Sequence, residues 1–122
     1  MSGRERRVGD RGESLAADYL ERGGYVIERR NYRCPAGEID LVARCGLVYV
    51  FVEVKTRRSH RFGLPEESLT SRKQAHLIAT AQTYLQDHGA ESAPWRIDVV
   101  AVELDSAGTV RKIRQIENAV RL

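Results

Sequence analysis

Apolar residues recur at three- and four-residue spacing in two parts of the chain, as they do along one face of a helix. The first part follows Asp10 and ends at the pair Gly23-Gly24. The second covers residues 71–88 and ends at Gly89. Because Asp10 and Glu13 have the spacing of a capping box, the sequence predicts that the first helix begins at Asp10.

Five further segments have the alternating or continuous apolar pattern of β-strands, and turn-forming residues separate them. They cover residues 25–31, 38–44, 47–56, 96–104 and 110–116. The third segment is rich in β-branched and aromatic residues, which favours a central position in a sheet. The predicted order αβββαββ indicates an α/β fold in which one five-stranded sheet is flanked by helices.

A chain of 122 residues, 42% of them hydrophobic, has the material for one domain. We expect residues 1–9 to form a flexible basic arm and residues 10–122 to form that domain. No apolar run approaches the roughly 20 residues of a membrane span, and the amino terminus lacks the apolar segment of a signal peptide. The two cysteines, Cys34 and Cys45, fit neither a disulfide scaffold nor a zinc site. We therefore expect a cytoplasmic protein without a membrane partner.

The connection between the second and third strands decides which polar side chains meet. If Cys45-Gly46 is a two-residue hairpin turn, Asp40 lies opposite Phe51 and is a diagonal neighbour of Glu53. The backbone positions of the two acidic residues are then roughly 7–8 Å apart, so both carboxylates can share one cation. Lys55 lies on the same face of the third strand. A strand-to-strand ion pair is the alternative, although charge in a central strand is costly unless it is paired or metal-bound.

Glu13 adds a third carboxylate to this side of the predicted fold. It heads the apolar face of the first helix, which should pack on the sheet. The sequence leaves two roles open for Glu13, membership of the acidic site or capping of the helix.

Basic residues follow directly from the strand that carries Lys55. The formal net charge is only +3, but Arg57, Arg58 and Arg61 are crowded into the loop after this strand. They should emerge at the same end of the sheet as Lys55, where arginine suits contacts with nucleic-acid phosphates. A solvated basic surface is the alternative.

Two segments of the sequence carry a family resemblance. Residues 37–42, Gly-Glu-Ile-Asp-Leu-Val, and residues 51–57, Phe-Val-Glu-Val-Lys-Thr-Arg, resemble the YraN-type family of small bacterial nuclease-like proteins. They are also similar to the wider PD-(D/E)XK superfamily, which includes restriction endonucleases and archaeal Holliday-junction resolvases. The likeness extends to Gly12-Glu13, Arg30-Asn31, Phe62-Gly63, Lys73 and Arg96-Ile97-Asp98. Ile39-Asp40 stands where the superfamily has Pro-Asp.

The resemblance implies a restriction endonuclease-like fold, with a mixed five-stranded sheet in a three-layer α/β/α arrangement. It also implies that Asp40 and Glu53 hold Mg²⁺ or Mn²⁺, with Glu13 as an accessory ligand or water contact. By the same resemblance, Lys55 would orient the attacking water and stabilise charge in the transition state. Lys73 would contact a phosphate, and a plain surface lysine is the alternative.

The function predicted from the sequence is that of a metal-dependent nuclease that hydrolyses phosphodiester bonds in DNA. Branched or flapped DNA is a candidate substrate. Two alternatives stay open: a non-catalytic nucleic-acid-binding module that kept the nuclease fold, and a nuclease directed at RNA or tRNA. The sequence also leaves open whether the protein forms a homodimer.

Overall fold

The computed structural model describes residues 3–58 and 69–122 of the chain. Within these ranges the elements follow the predicted order αβββαββ, which confirms the α/β class. They are α1 (Gly3–Arg22), β1 (Val26–Cys34), β2 (Gly37–Cys45), β3 (Val48–Arg57), α2 (Ser71–Asp87), β4 (Trp95–Leu104) and β5 (Val110–Ile116). No helix in the described ranges is both long and apolar enough to span a membrane.

The five strands form one mixed sheet in the order β1-β2-β3-β4-β5. Neighbouring strands are antiparallel except β3 and β4, which are parallel. A parallel pair needs a long crossover connection, and α2 lies in that connection.

Each face of the sheet is covered by one helix. Leu41, Val50 and Val52 pack in the apolar layer that contains Ala16 and Leu20 of α1. The opposite layer joins sheet residues to α2, and its members include Val42, Phe51, Leu77, Ala81 and Tyr84. The alternation along β3 therefore produces the predicted three layers, because successive side chains point to opposite faces.

The predicted start of the first helix is wrong. Helix α1 begins at Gly3 rather than at Asp10, so Asp10 and Glu13 both lie inside the helix. The preceding residues include arginine and glutamate, which have high helix propensity, and the helix continues through them.

The predicted register between β2 and β3 is also wrong, by two residues. Cys45 pairs with Val48, so the turn residues are Gly46 and Leu47. Gly46 has φ of 61° and occupies the first central position, where a type II′ hairpin turn requires a glycine. A displacement by two residues keeps the paired side chains from Leu41 to Cys45 on their predicted faces, and it places Asp40 level with Glu53.

The sheet divides between β2 and β3 at this level. Their ladder ends at the pair Leu41 and Val52, although both strands continue. Past that pair, β2 stays bound to β1, and β3 stays bound to β4 as far as Arg57. Asp40 and Glu53 are the first residues beyond the last pair, and they lie on either side of the opening between the strands. We call this opening the strand fork.

Strand β2 rotates at the strand fork. Ile39 packs in the layer of α2, whereas Leu41 packs in the layer of α1. Residues two apart in a regular strand share a face, so the backbone must turn at Asp40. Across from it on β1, Asn31 has φ of 54° and is skipped by the β1–β2 ladder. Asparagine is one of the few residues that tolerates this left-handed conformation.

Close packing between α1 and β3 gives the first prediction. A methyl group on Gly12 would lie 1.8 Å from Thr56 Oγ1 and 2.9 Å from Thr56 Cβ. Gly12→Ala should therefore lower the free energy of unfolding by roughly 1–3 kcal/mol, despite the better helix propensity of alanine. Urea unfolding measures the change. Gly23→Ala is the matched control, because its added methyl group meets nothing nearer than 3.4 Å. Equal effects of the two substitutions would contradict this packing.

Candidate functional site

The side chain of Asp40 lies in the strand fork. Its Oδ2 accepts a hydrogen bond from the backbone N–H of Val54, at 2.7 Å. This N–H lies just past the end of the β2–β3 ladder, so a side-chain oxygen takes the place of a backbone partner. The bond fixes the carboxyl group of Asp40 between the two strands.

Glu53 faces Asp40 and is buried, with 8% of its surface exposed. Two carboxyl groups side by side in a buried site cannot both hold a full negative charge at low cost. Burial raises the pKa of Asp40 to about 8, and the hydrogen bond and charge of Glu53 add to this effect. The Val54 N–H favours the charged form of Asp40 and opposes the shift. The raised pKa therefore favours a proton shared between Asp40 and Glu53.

Glu13 approaches the strand fork from α1 and is 7% exposed. Its Oε1 accepts hydrogen bonds from Asn31 Nδ2 at 3.0 Å and from Arg30 Nε at 3.2 Å. Glu13 lies well inside α1, so it does not cap the helix. Its charge also contributes to the raised pKa of Asp40. The fold thus brings Glu13, Asp40 and Glu53 to one region of the sheet.

The donor set is made of hard carboxylate oxygens, which suit Mg²⁺ or Mn²⁺. Asp40 and Glu53 are close enough to share a hydrogen bond, and a cation between them would replace the shared proton. Within residues 3–58 and 69–122, no three His, Cys, Asp or Glu side chains stand together as a ready metal-binding group. Glu13 is held by Arg30 and Asn31, so the pair Asp40 and Glu53 fits a cation best.

Two lysines, Lys73 on α2 and Lys55 on β3, are candidates for pairing with Glu53. Lys73, in the first turn of α2, forms an ion pair with it, with 3.1 Å between Nζ and Oε2. Lys55 follows Glu53 on β3, is partly exposed, and forms no ion pair with a carboxylate of the described residues. The strand-to-strand ion pair that the sequence offered as an alternative for Lys55 is therefore not formed among these residues.

The basic residues predicted to contact nucleic acid lie in part beyond the strand fork. Arg57 is the last residue of β3, and its buried Nε has no hydrogen-bond partner in the described part of the chain. Arg58 follows it and is exposed. Arg61 lies outside the described residues.

Several contacts of the site were not predicted from the sequence. Arg30 and Asn31 were part of the family resemblance, but their role as partners of Glu13 depends on the backbone turn at Asn31. Lys73 was assigned to phosphate, whereas its partner in the structure is Glu53. A basic residue in the first turn of a helix is locally unfavourable, and this was the available sequence signal.

The raised pKa of Asp40 predicts a pH-dependent stability. The ordinary pKa of an aspartate side chain is 3.8 and the pKa of Asp40 in the fold is about 8, so between these values the folded state binds more protons than the unfolded state. The free energy of unfolding should therefore fall as pH rises through this range, by up to ~1.4 kcal/mol per pH unit from this group.

Urea unfolding between about pH 5 and pH 8, without divalent cations, measures this slope. Asp40→Asn should flatten the slope, and the variant should gain stability relative to the parent protein as pH rises. Glu38→Gln is a control on the same strand, since Glu38 is exposed and pairs with Arg33. Parallel pH profiles for Asp40→Asn and the parent protein would contradict the shared proton.

Comparisons with known proteins identify the relatives of this chain. The model of "Uncharacterised protein family UPF0102" matches residues 12–102. A UPF0102 protein of Symbiobacterium thermophilum is 51% identical over 93% of this chain and 96% of its own length. One from Roseiflexus castenholzii is 47% identical and one from Dehalococcoides mccartyi 45% identical, each over 98% of both chains.

A solved structure of Pyrococcus furiosus SfsA in complex with Ca²⁺ is a more distant match. It has 17% sequence identity and a TM-score of 0.43, and the match covers 97% of this chain and 65% of that one. This similarity is too low to bear on function. The three relatives cover nearly the whole chain, the family model covers residues 12–102, and both include the residues of the strand fork. The chain therefore belongs to the UPF0102 family, which is the YraN family that its sequence motifs resemble.

Proposed function

We propose that this protein is a nuclease that uses Mg²⁺ or Mn²⁺ to hydrolyse phosphodiester bonds in DNA. The observation that carries the proposal is the strand fork, where the backbone ladder ends and two buried carboxyl groups face each other. Burial of two facing carboxyl groups costs free energy unless their charges are compensated, and a divalent cation would compensate both groups. A cation-binding role explains why β3, which is apolar from Val48 to Val52, carries a buried glutamate at the next position.

Asp40 and Glu53 would hold the cation, and the Val54 N–H would keep Asp40 in position. When bound, such a cation activates a water molecule and stabilises negative charge on the phosphate. Glu13 would orient a water molecule at the edge of the site while Arg30 and Asn31 fix its carboxylate. These roles need oxygen ligands only, which agrees with the residues present.

Lys55 is the residue proposed to act on the scissile phosphate. It lies two residues after Glu53 on β3, so the two side chains leave the strand on the same side. No carboxylate of the described residues pairs with it, which leaves its ammonium group available to an anionic substrate. In this position it would orient the attacking water and stabilise charge as the phosphate is attacked.

The nucleic-acid backbone would follow the basic residues at the end of β3. Arg57 and Arg58 lie there, and Arg61 belongs to the segment that follows in the sequence. The buried Arg57 Nε has no partner among the described residues, and a phosphate oxygen is a suitable acceptor for it. Branched and flapped DNA remain the favoured substrates of this proposal.

The direct test is cleavage of labelled linear, flapped and four-way DNA by the purified protein in Mn²⁺. The proposal predicts cleavage of at least one of these substrates. RNA and tRNA substrates in the same panel would reveal an RNA-directed nuclease. Binding of DNA without cleavage of any substrate would favour the non-catalytic binding module.

Replacement of Lys55 separates catalysis from architecture. Lys55→Met keeps most of the aliphatic stem and removes the ammonium group. With Mn²⁺ present, we expect the variant to fold and bind DNA as the parent protein does, while cleavage falls by roughly two to four orders of magnitude. Lys112→Met is the control, because Lys112 is an exposed lysine on β5, away from the strand fork. Cleavage by Lys55→Met at the parental rate would contradict the assigned role.

A further inference from the structure

Lys73 has a place in the site that neither the family resemblance nor its neighbours on α2 explain. Its Nζ lies 3.1 Å from Glu53 Oε2. The Glu53 side chain is 10% exposed, whereas that of Lys73 is 37% exposed. The ion pair thus joins a fixed, buried carboxylate to an ammonium group on a flexible stem that reaches solvent.

Lys73 lies in the first turn of α2, where a basic side chain is electrostatically unfavourable. Thr70 caps α2 and its Oγ1 accepts the backbone N–H of Lys73, so Lys73 is the third residue of the helix. The amino-terminal turn of a helix favours acidic side chains, and glutamate is preferred at this position. The first turn of α2 has no acidic residue, and Arg72 and Lys73 occupy it instead. A sequence that departs from local preference in this way is typical of a functional position.

Glu53 has no other cationic partner among the described residues. Arg30 pairs with Glu13, and Lys55 pairs with no described carboxylate. A cation that binds between Asp40 and Glu53 therefore comes close to the Lys73 ammonium group, which contacts Glu53 Oε2. Two cations at this distance repel each other, and the exposed one of the two is free to move away.

We propose that Lys73 is an exchangeable counter-ion: it neutralises Glu53 in the metal-free protein, and a divalent cation displaces it toward a phosphate of the nucleic acid. This inference rests on the proposed function, because it assumes a cation at the strand fork. It makes Lys73 a positioning residue that couples the two binding events. Metal binding increases the affinity for nucleic acid because it releases a positive charge that Glu53 had masked.

Calorimetric titration with Mn²⁺ tests the exchange without any reference to catalysis. Lys73→Met removes the competitor, so Mn²⁺ should bind about 3- to 10-fold more tightly than to the parent protein. Arg72→Met removes the same charge from the adjacent, exposed position and should leave Mn²⁺ affinity unchanged. Lys73→Arg keeps the positive charge and should restore parental behaviour. Unchanged or weaker Mn²⁺ binding by Lys73→Met would overturn the proposal.

The second measurement is DNA affinity with and without Mn²⁺, in proteins that also carry Lys55→Met so that the substrate stays intact. Lys73→Met should reduce DNA affinity when Mn²⁺ is present and leave it nearly unchanged when Mn²⁺ is absent. An equal loss under both conditions would show a plain phosphate contact and overturn the exchange. If the parent protein binds no Mn²⁺, the proposed function fails together with this inference. If it binds Mn²⁺ and Lys73→Met matches Arg72→Met, only the role of Lys73 fails.

The thermal midpoint of each variant separates exchange from loss of the fold. Lys73→Met leaves Glu53 without its ammonium partner, so the metal-free variant should be less stable. Mn²⁺ should then raise its midpoint more than it raises that of the parent protein, because the cation restores the missing charge. Lys73→Gln, which keeps a hydrogen-bond donor, provides a second variant if Lys73→Met does not fold. A smaller Mn²⁺-induced rise in both variants would also overturn the proposal.

Discussion

Two carboxyl groups are buried opposite each other at the point where β2 and β3 separate, and the site depends on that arrangement. The opening exists because Asp40 takes the backbone N–H of Val54 that a regular ladder would have paired with β2. The surrounding sheet packs apolar side chains on both faces and is covered by one helix on each side. The rigid layers therefore hold Asp40 and Glu53 together although their charges oppose it. In the proposed function, the cost of this arrangement is compensated by a bound divalent cation.

The basic residues around the strand fork differ in their ion-pair partners. Arg30 is bound to Glu13, and Lys73 is bound to Glu53. Lys55 has no carboxylate partner in the described part of the chain. No cationic side chain of residues 3–58 and 69–122 pairs with Asp40, whose pKa is raised chiefly by burial. The proposed function places a divalent cation at Asp40 and an anionic substrate at Lys55.

Much of the fold could be predicted from the sequence because helical and strand periodicities are local properties. The order of the elements, and the face of β3 that carries Glu53, followed from these patterns. The register of β2 against β3 was missed because it depends on which turn position Gly46 occupies. The start of α1 was missed because a capping-box spacing also occurs inside helices, as it does at Asp10.

The acidic residues of the site were predictable because charge on a central strand stands out against an apolar background. The contacts among these residues could not be predicted from the sequence. The division of the sheet depends on one side chain that replaces a backbone partner, and the ion pair of Glu53 with Lys73 joins elements that are distant in sequence. The left-handed conformation of Asn31, which lets it reach Glu13, also becomes visible only in three dimensions. Such contacts arise from tertiary packing, which no local pattern encodes.

The central claim is that Asp40 and Glu53 form a divalent-cation site, and calorimetric titration of the protein with Mn²⁺ tests it most directly. The account predicts binding to the parent protein, loss of that binding in Asp40→Asn, and unchanged binding in Glu38→Gln, whose exposed side chain lies on the same strand. A binding heat that persists undiminished in Asp40→Asn, or its absence from the parent protein, would contradict the account.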